Sequence, residues 1–173
     1  MMKRNYLLAL CFMLGILSVW GQEKIQSSFW GCSFGTSQER LLSALESDSL
    51  HPMQMEQGLL LKDAELSNTP FQTLAFMFSP LDGGLYKVVA SNRYQSRKEA
   101  VAHYDEQLSR MKEKYPRLQK VSNPVAEKMS SWMDGDNAVY IGLFPGKDGK
   151  TYFVNVNYWN ILMQQNIQSD ATR

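Results

Sequence analysis

The sequence predicts an α+β protein with an antiparallel sheet and two helices on one face of it. Two helix-like segments, each opened by a Ser or Thr three residues before a Glu, alternate with groups of strand-like segments. Turns rich in Gly, Asp and Asn separate the strands, which favours antiparallel neighbours. The order of a helix and three strands, present twice, suggests two α-β-β-β units.

The opening of the chain is typical of a secretory signal peptide. Lys3 and Arg4 precede an uncharged apolar run over residues 6–20, and Gly21 occupies the place of a small residue before a cleavage site. The run is shorter than the ~20 residues that span a bilayer, so no stable membrane span is expected. We expect a signal peptide over residues 1–21 and a single domain over residues 22–173, periplasmic or secreted.

Charge and cysteine content narrow the classes of function. Removal of Lys3 and Arg4 changes the formal net charge from +1 to −1, which leaves no basic field for nucleic acid. Gln22, rather than a Cys, follows the cleavage site, so a lipid anchor is not expected. Cys32 is then the sole cysteine, which excludes an internal disulfide and favours a buried thiol.

The first half begins with a predicted strand over residues 29–34, after a polar leader (residues 22–28) that we expect to be mobile. Gly35 allows a turn, and Thr36 with Glu39 forms a predicted capping box at the start of a helix. Leu41, Leu42 and Leu45 make one apolar stripe along it. The helix is expected to end before His51 and Pro52.

Three strands are predicted to follow this helix. Residues 59–66 form the first, which has the weakest pattern. Residues 71–78 alternate, with Leu74, Phe76 and Phe78 on one face, and residues 85–94 return after a turn over residues 80–84.

The second half repeats this order. A helix over residues 96–115 opens with a capping box of Ser96 and Glu99 and stops at Pro116. Strands are predicted over residues 125–133, 138–144 and 151–159. The tail after Ile161 is expected to form a helical turn, with residues 165–173 mobile. The apolar stripe of the helix comprises Val101, Tyr104, Leu108, Met111 and Tyr115.

One motif carries a resemblance to a known group of proteins. The helix start at Gly35, Thr36, Ser37 and Glu39, after an aromatic strand and before hairpins, resembles small exported bacterial proteins of the β-lactamase inhibitory protein and outer-membrane assembly lipoprotein type. The turn residues near the end, from Trp132 to Asn137, are similar to those of secreted domains of gut-type bacteria. The resemblance implies a binding or scaffolding module without a catalytic centre.

Aromatic residues near the end of the chain are the candidates for contact with a protein partner. Neighbours in a strand point to opposite faces, so part of this aromatic set is expected on the sheet face away from the helices. We take Tyr152, Tyr158 and Trp159 as the candidate partner-contact residues. No catalytic residue, cofactor or metal ligand is predicted, and the oligomeric state stays open.

Two other classes of function remain as alternatives. A thiol-dependent or metal-assisted hydrolase would use Cys32 with His51 or His103, or oxygen ligands in the loop of Asp134, Asp136 and Asn137. The alternation of Cys32 with Trp30 and Phe34 indicates a packed thiol instead. His103 lies one residue from the apolar stripe of the second helix and is expected on its solvated flank. A pocket for a small apolar ligand or lipid, between helices and sheet, follows from the many Met and Phe residues.

Overall fold

The computed structural model describes residues 24–172, so the predicted signal peptide over residues 1–21 lies outside the described residues. The described part contains the helices α1 (Gln38–Ser47), α2 (Arg97–Lys114) and α3 (Ile161–Asp170). Its strands are β1 (Ser28–Phe29), β2 (Cys32–Ser33), β3 (Met53–Met55), β4 (Gly58–Leu66), β5 (Thr69–Phe78), β6 (Leu85–Tyr94), β7 (Gln119–Lys120), β8 (Lys128–Asp134), β9 (Asn137–Pro145) and β10 (Tyr152–Asn160). None of these helices is long and apolar enough to cross a bilayer.

Eight of the strands form one antiparallel sheet in the order β3-β4-β5-β6-β10-β9-β8-β7. The order is symmetric about its centre, since α1 and α2 are each followed by four strands and the last strands of both groups pair with each other. The α+β prediction is confirmed. Each half also has a short edge strand, β3 or β7, beyond the three that were predicted.

The two predicted helices cover the same face of the sheet. Leu41 and Leu45 of α1 and Tyr104 and Met111 of α2 are buried in one hydrophobic cluster with sheet residues such as Val156. This packing stabilises both helices, because an amphipathic helix gains its stability in a protein mainly from its buried face.

The predicted strand pattern of both halves is largely confirmed. β6 has the predicted bounds, and Leu74, Phe76 and Phe78 of β5 are all buried, as their alternation indicates. β8, β9 and β10 each lie within three residues of the predicted positions. The hairpin between β8 and β9 turns at Gly135, whose φ of 57° suits a residue without a Cβ.

The prediction of one strand over residues 29–34 is wrong. β1 and β2 instead form a two-stranded hairpin in which Phe29 pairs with Cys32. Trp30 and Gly31 make its turn, both with positive φ, as a tight two-residue hairpin requires. Cys32 is buried as expected, but the turn removes the simple alternation that placed it on one face with Trp30 and Phe34.

The predicted capping box of α1 is also absent. Ser37, rather than Thr36, is the N-cap residue, and no side chain caps this end. The Thr36 N–H donates to the Ser33 carbonyl at 3.1 Å, while the Thr36 carbonyl accepts from Leu85 N–H at 2.8 Å. Backbone hydrogen bonds to β2 and β6 therefore satisfy the polar groups of Thr36.

The cap of α2 is confirmed in part, since the Ser96 side chain accepts from the Glu99 N–H at 3.5 Å. The buried stripe of α2 lies to one side of the predicted one. Tyr104 and Met111 are buried as predicted, whereas Ala100 and Gln107 take the places expected for Val101 and Leu108, which are half-buried.

Both segments expected to be mobile contain ordered contacts. Ile25 is buried in the core, and the Gln26 N–H donates to the Tyr115 hydroxyl at 3.4 Å. α3 extends through residue 170 rather than a single turn. Asn160 caps α3 by accepting from the Met163 N–H at 3.0 Å.

Candidate functional site: the open face of the sheet

The sheet face opposite α1 and α2, called the open face below, is defined by strand alternation in β10. Val154, Val156 and Tyr158 are buried beneath the helices, so Phe153, Asn155, Asn157 and Trp159 lie on the other face. The pairing register then extends this face across the neighbouring strands.

Four partly exposed aromatic side chains lie on the open face. Phe153 pairs with Phe144 across β10 and β9, and Trp159 lies one ladder step from Tyr140, with the two rings edge to face at 4.9 Å between centroids. The Phe144 ring covers Gly142, where an added Cβ would come within 2.4 Å of it. These four side chains, called the aromatic row below, lie along β9 and β10 in two pairs, with Asn155 and Gly142 between the pairs.

Exposed methionine side chains lie toward both edges of the open face, on β3 and β8. Met53 and Met55 of β3 are 46% and 41% exposed, and Met133 of β8 is 66% exposed. Met77 and Met129 share their face by register and are partly exposed. Flexible, polarizable thioethers adapt to irregular partner surfaces, so these positions suit a contact surface.

Lys87 lies on β6, one of the two central strands, near the end of the open face where β6 begins and β10 ends. It is opposite Trp159 in the pairing of β6 with β10. Its ammonium nitrogen lies 5.4 Å from the centroid of the Trp159 ring, a cation–π distance. Burial lowers the pKa of the Lys87 ammonium group. The strand residues paired with Lys87, Met77 and Trp159, carry no negative charge.

Within the part of the chain that the structure describes, two nitrogen donors beside Lys87 have no acceptor. Asn157 is 2% exposed, and its Nδ2 and the Nε1 of Trp159 are buried without a hydrogen-bond partner. Each such group costs about 1–3 kcal/mol when left unsatisfied. Burial also raises the pKa of Tyr140 to about 12, so its hydroxyl is protonated at neutral pH. Lys87, Asn157, Trp159 and Tyr140 thus bring donors to neighbouring positions of β6, β9 and β10. The described residues also include two buried acceptors without a partner, Asn137 Oδ1 and Gln164 Oε1.

The three candidate contact residues do not lie on the same face of the sheet. Trp159 lies on the open face. Tyr158 is 4% exposed and packs in the core, with its ring 5.6 Å from that of Phe29, so its prediction as a contact residue is wrong. Tyr152 lies on the helix side and packs against the core, so it does not belong to the open face.

Sequence reasoning missed Lys87 and Asn157, although β10 contained a signal. Val154 and Val156 alternate with Asn155 and Asn157. The apolar positions of such a pattern face the core, which assigns Tyr158 to the core and Trp159 to the open face.

Cys32 and His103, which the hydrolase alternative would use, have different surroundings in the structure. Cys32 is 3% exposed, and its thiol contacts the Arg40 carbonyl oxygen at 4.0 Å. His103 was expected on a solvated flank but is half-buried, with its Nε2 3.2 Å from Asn92 Nδ2. Within residues 24–172, no three His, Cys, Asp or Glu side chains are grouped to hold a metal ion.

The space between α2 and the sheet is small. A cavity of about 90 Å³ lies there, lined by residues that include Phe71, Gln107 and Tyr158. Sites for drug-sized ligands are about 300–1,000 Å³. A second pocket of about 230 Å³, lined by residues that include Tyr104, Leu108 and Ser130, also lies between α2 and the sheet. Both volumes are below the range of such sites.

Comparisons with known proteins find no matching family model, no matching curated protein and no matching solved structure.

Proposed function

We propose that this protein is an exported binding module that contacts a protein partner through the open face. The observation that carries the proposal is the pair of donors on β10, Asn157 Nδ2 and Trp159 Nε1, that have no acceptor within residues 24–172. Buried polar groups in folded proteins nearly always have partners. A protein seated on the face would supply acceptors to a position that the chain itself leaves without them.

The composition of the open face supports a protein as the partner. Aromatic residues and Met are enriched in protein–protein interfaces relative to the rest of the surface. Both kinds lie here across several strands, with exposed methionines at the two ends. A flat sheet face of this kind suits a broad contact better than enclosure of a small molecule.

Photo-crosslinking from single positions tests the proposal. A photoreactive phenylalanine analogue replaces Met133 on the open face or, as the control, Val125 in the loop before β8. Both side chains are 66% exposed, so the two positions differ in place and not in access. In an envelope extract of the producing cells, we expect a discrete adduct from position 133 and none from position 125.

A second pair of variants tests whether formation of the adduct depends on the aromatic row. Phe153→Ala should reduce the adduct from position 133 by at least about fivefold, as expected for an interface anchor worth more than about 1 kcal/mol. Leu162→Ala, which truncates another half-exposed apolar side chain, should leave it unchanged. Equal adducts from positions 133 and 125, or no adduct from either, would contradict the proposal. An adduct with twice the mass of the chain identifies the partner as a second copy.

A further inference from the structure

Lys87, Trp159 and Asn157 lie at neighbouring positions of β6 and β10 on the open face. Asn157 and Trp159 are two residues apart on the same side of β10, and Lys87 lies directly opposite Trp159 on β6. Side chains one ladder step apart on a sheet face are within reach of each other when one of them is long. The Lys87 ammonium group, the Trp159 indole and the Asn157 amide therefore border the same place.

This group lacks a negative partner of its own. The ion pairs within residues 24–172 are Arg97–Glu127, Arg110–Glu106 and Lys128–Asp105, and they do not include Lys87. The strand residues around Lys87 on this face are Met77, Val89, Asn157 and Trp159, none of which is acidic. A half-buried ammonium group beside two unsatisfied donors is complementary to an anion with more than one acceptor oxygen.

We infer that this position binds a carboxylate of the protein partner, held by Lys87, Trp159 Nε1 and Asn157 Nδ2. The inference rests on the proposed function and names the chemical group that the partner presents. Lys87 is the movable member, because its flexible four-carbon stem can turn from the Trp159 ring toward a bound oxygen.

The arrangement favours a carboxylate over a phosphate. It has one cation and neutral donors, and it has no arginine fork of the kind that grips a phosphate. The position lies on the two central strands, with three further strands on each side. An acidic side chain projecting from a partner surface reaches a position flanked by strands on both sides more directly than a chain terminus does.

Nuclear magnetic resonance of the Trp indole groups tests the inference with acetate as the probe. Acetate is added to the ¹⁵N-labelled protein against sodium chloride of equal ionic strength. We expect a saturable downfield shift of the Trp159 indole proton with a Kd on the order of 10 mM, typical of a single small charged contact. The indoles of Trp30 and Trp132, which pack against the core on the other side of the sheet, should not respond.

Matched charge variants complete the test. Lys87→Gln should raise the acetate Kd at least about tenfold, equal to about 1.4 kcal/mol, whereas Lys87→Arg should largely retain binding. Lys62→Gln removes a cation from the exposed part of β4, two strands away, and should change the Kd less than twofold. Well-dispersed spectra of all variants would show that they fold.

Two peptide probes distinguish the sources of the carboxylate. An amidated peptide with a single Glu should shift the Trp159 indole, and a neutral peptide with a free C-terminus should shift it less. The reverse order would overturn the assignment to a side chain. No shift with acetate beyond that of chloride, or an equal loss with Lys62→Gln, would overturn the inference as a whole. If the crosslinks from position 133 persisted in that case, the proposed function would stand without it.

Discussion

His103 illustrates how a single residue differs from its expected setting. Its Nε2 faces the Asn92 amide nitrogen at 3.2 Å, and its ring lies 5.2 Å from that of Tyr94. Because an amide nitrogen is a donor, Nε2 accepts here and the ring is neutral. Burial lowers the pKa of His103, partly offset by Glu106 and reinforced by Arg110.

This setting predicts a pH dependence of stability. The unfolded chain binds a proton at His103 near pH 6.5, whereas the folded chain binds it only at lower pH, so the free energy of unfolding should fall as pH decreases below 6.5. Urea unfolding at pH 7.5 and 5.5 measures this fall. His103→Gln should make the fall smaller, and His51→Gln, at an exposed position, should leave it unchanged. An identical fall in all three proteins would show that His103 does not contribute.

The starts of α1 and α2 show that the same short motif can act differently in two elements. Both carry a hydroxyl residue three positions before Glu, but only the Ser96 side chain accepts from the backbone N–H of Glu99. At the start of α1, the backbone of Gly35 and Thr36 forms hydrogen bonds to β2 and β6. Ser37 forms an isolated β-bridge with Gly84. Tertiary contacts there replace the local cap.

The two helix starts therefore predict unequal costs for the same substitution. Ser96→Ala should lower the free energy of unfolding by about 0.5–1 kcal/mol, the low end of N-cap losses, because the bond it removes is long. Ser37→Ala should lower it by less than half as much. Equilibrium urea denaturation of both variants measures the difference. Equal losses would mean that Ser37 caps α1 in solution.

At the scale of the whole molecule, Cys32 is buried, so the rate at which its thiol reacts measures how often the fold opens. Cys32 lies in the β1–β2 hairpin and joins the same core cluster as both helices. Its exposure requires the hairpin to leave the core, which in a cooperative domain means global unfolding.

The reactivity of Cys32 should follow that opening. In the chain from residue 22 onward, alkylation in buffer should be at least about a thousandfold slower than in denaturing urea, since a stability of about 5 kcal/mol leaves less than about one molecule in a thousand unfolded. Timed alkylation followed by mass spectrometry measures both rates. Fast labelling in buffer would indicate an accessible thiol and would support the hypothesis that Cys32 is a nucleophile.

Local patterns in the sequence were sufficient for most of the elements and for the fold class. β6 and the Ser96 end of α2 were predictable because alternation, turn residues and a cap are properties of neighbouring residues. The β1–β2 hairpin was not, because an aromatic run with one internal Gly is compatible with a strand or a turn. The contacts of Phe29 and Cys32 with the core favour the turn.

The candidate site depended on long-range pairing. Alternation divides β10 into two faces and gives an internal hint of which is buried, yet the core position of Tyr158 follows from its packing against Phe29 and Tyr115. Lys87 and Trp159 are 72 positions apart and meet only because the last strands of the two halves pair. Sequence periodicity determines which residues share a side of a strand, whereas strand pairing and helix packing determine what each side meets.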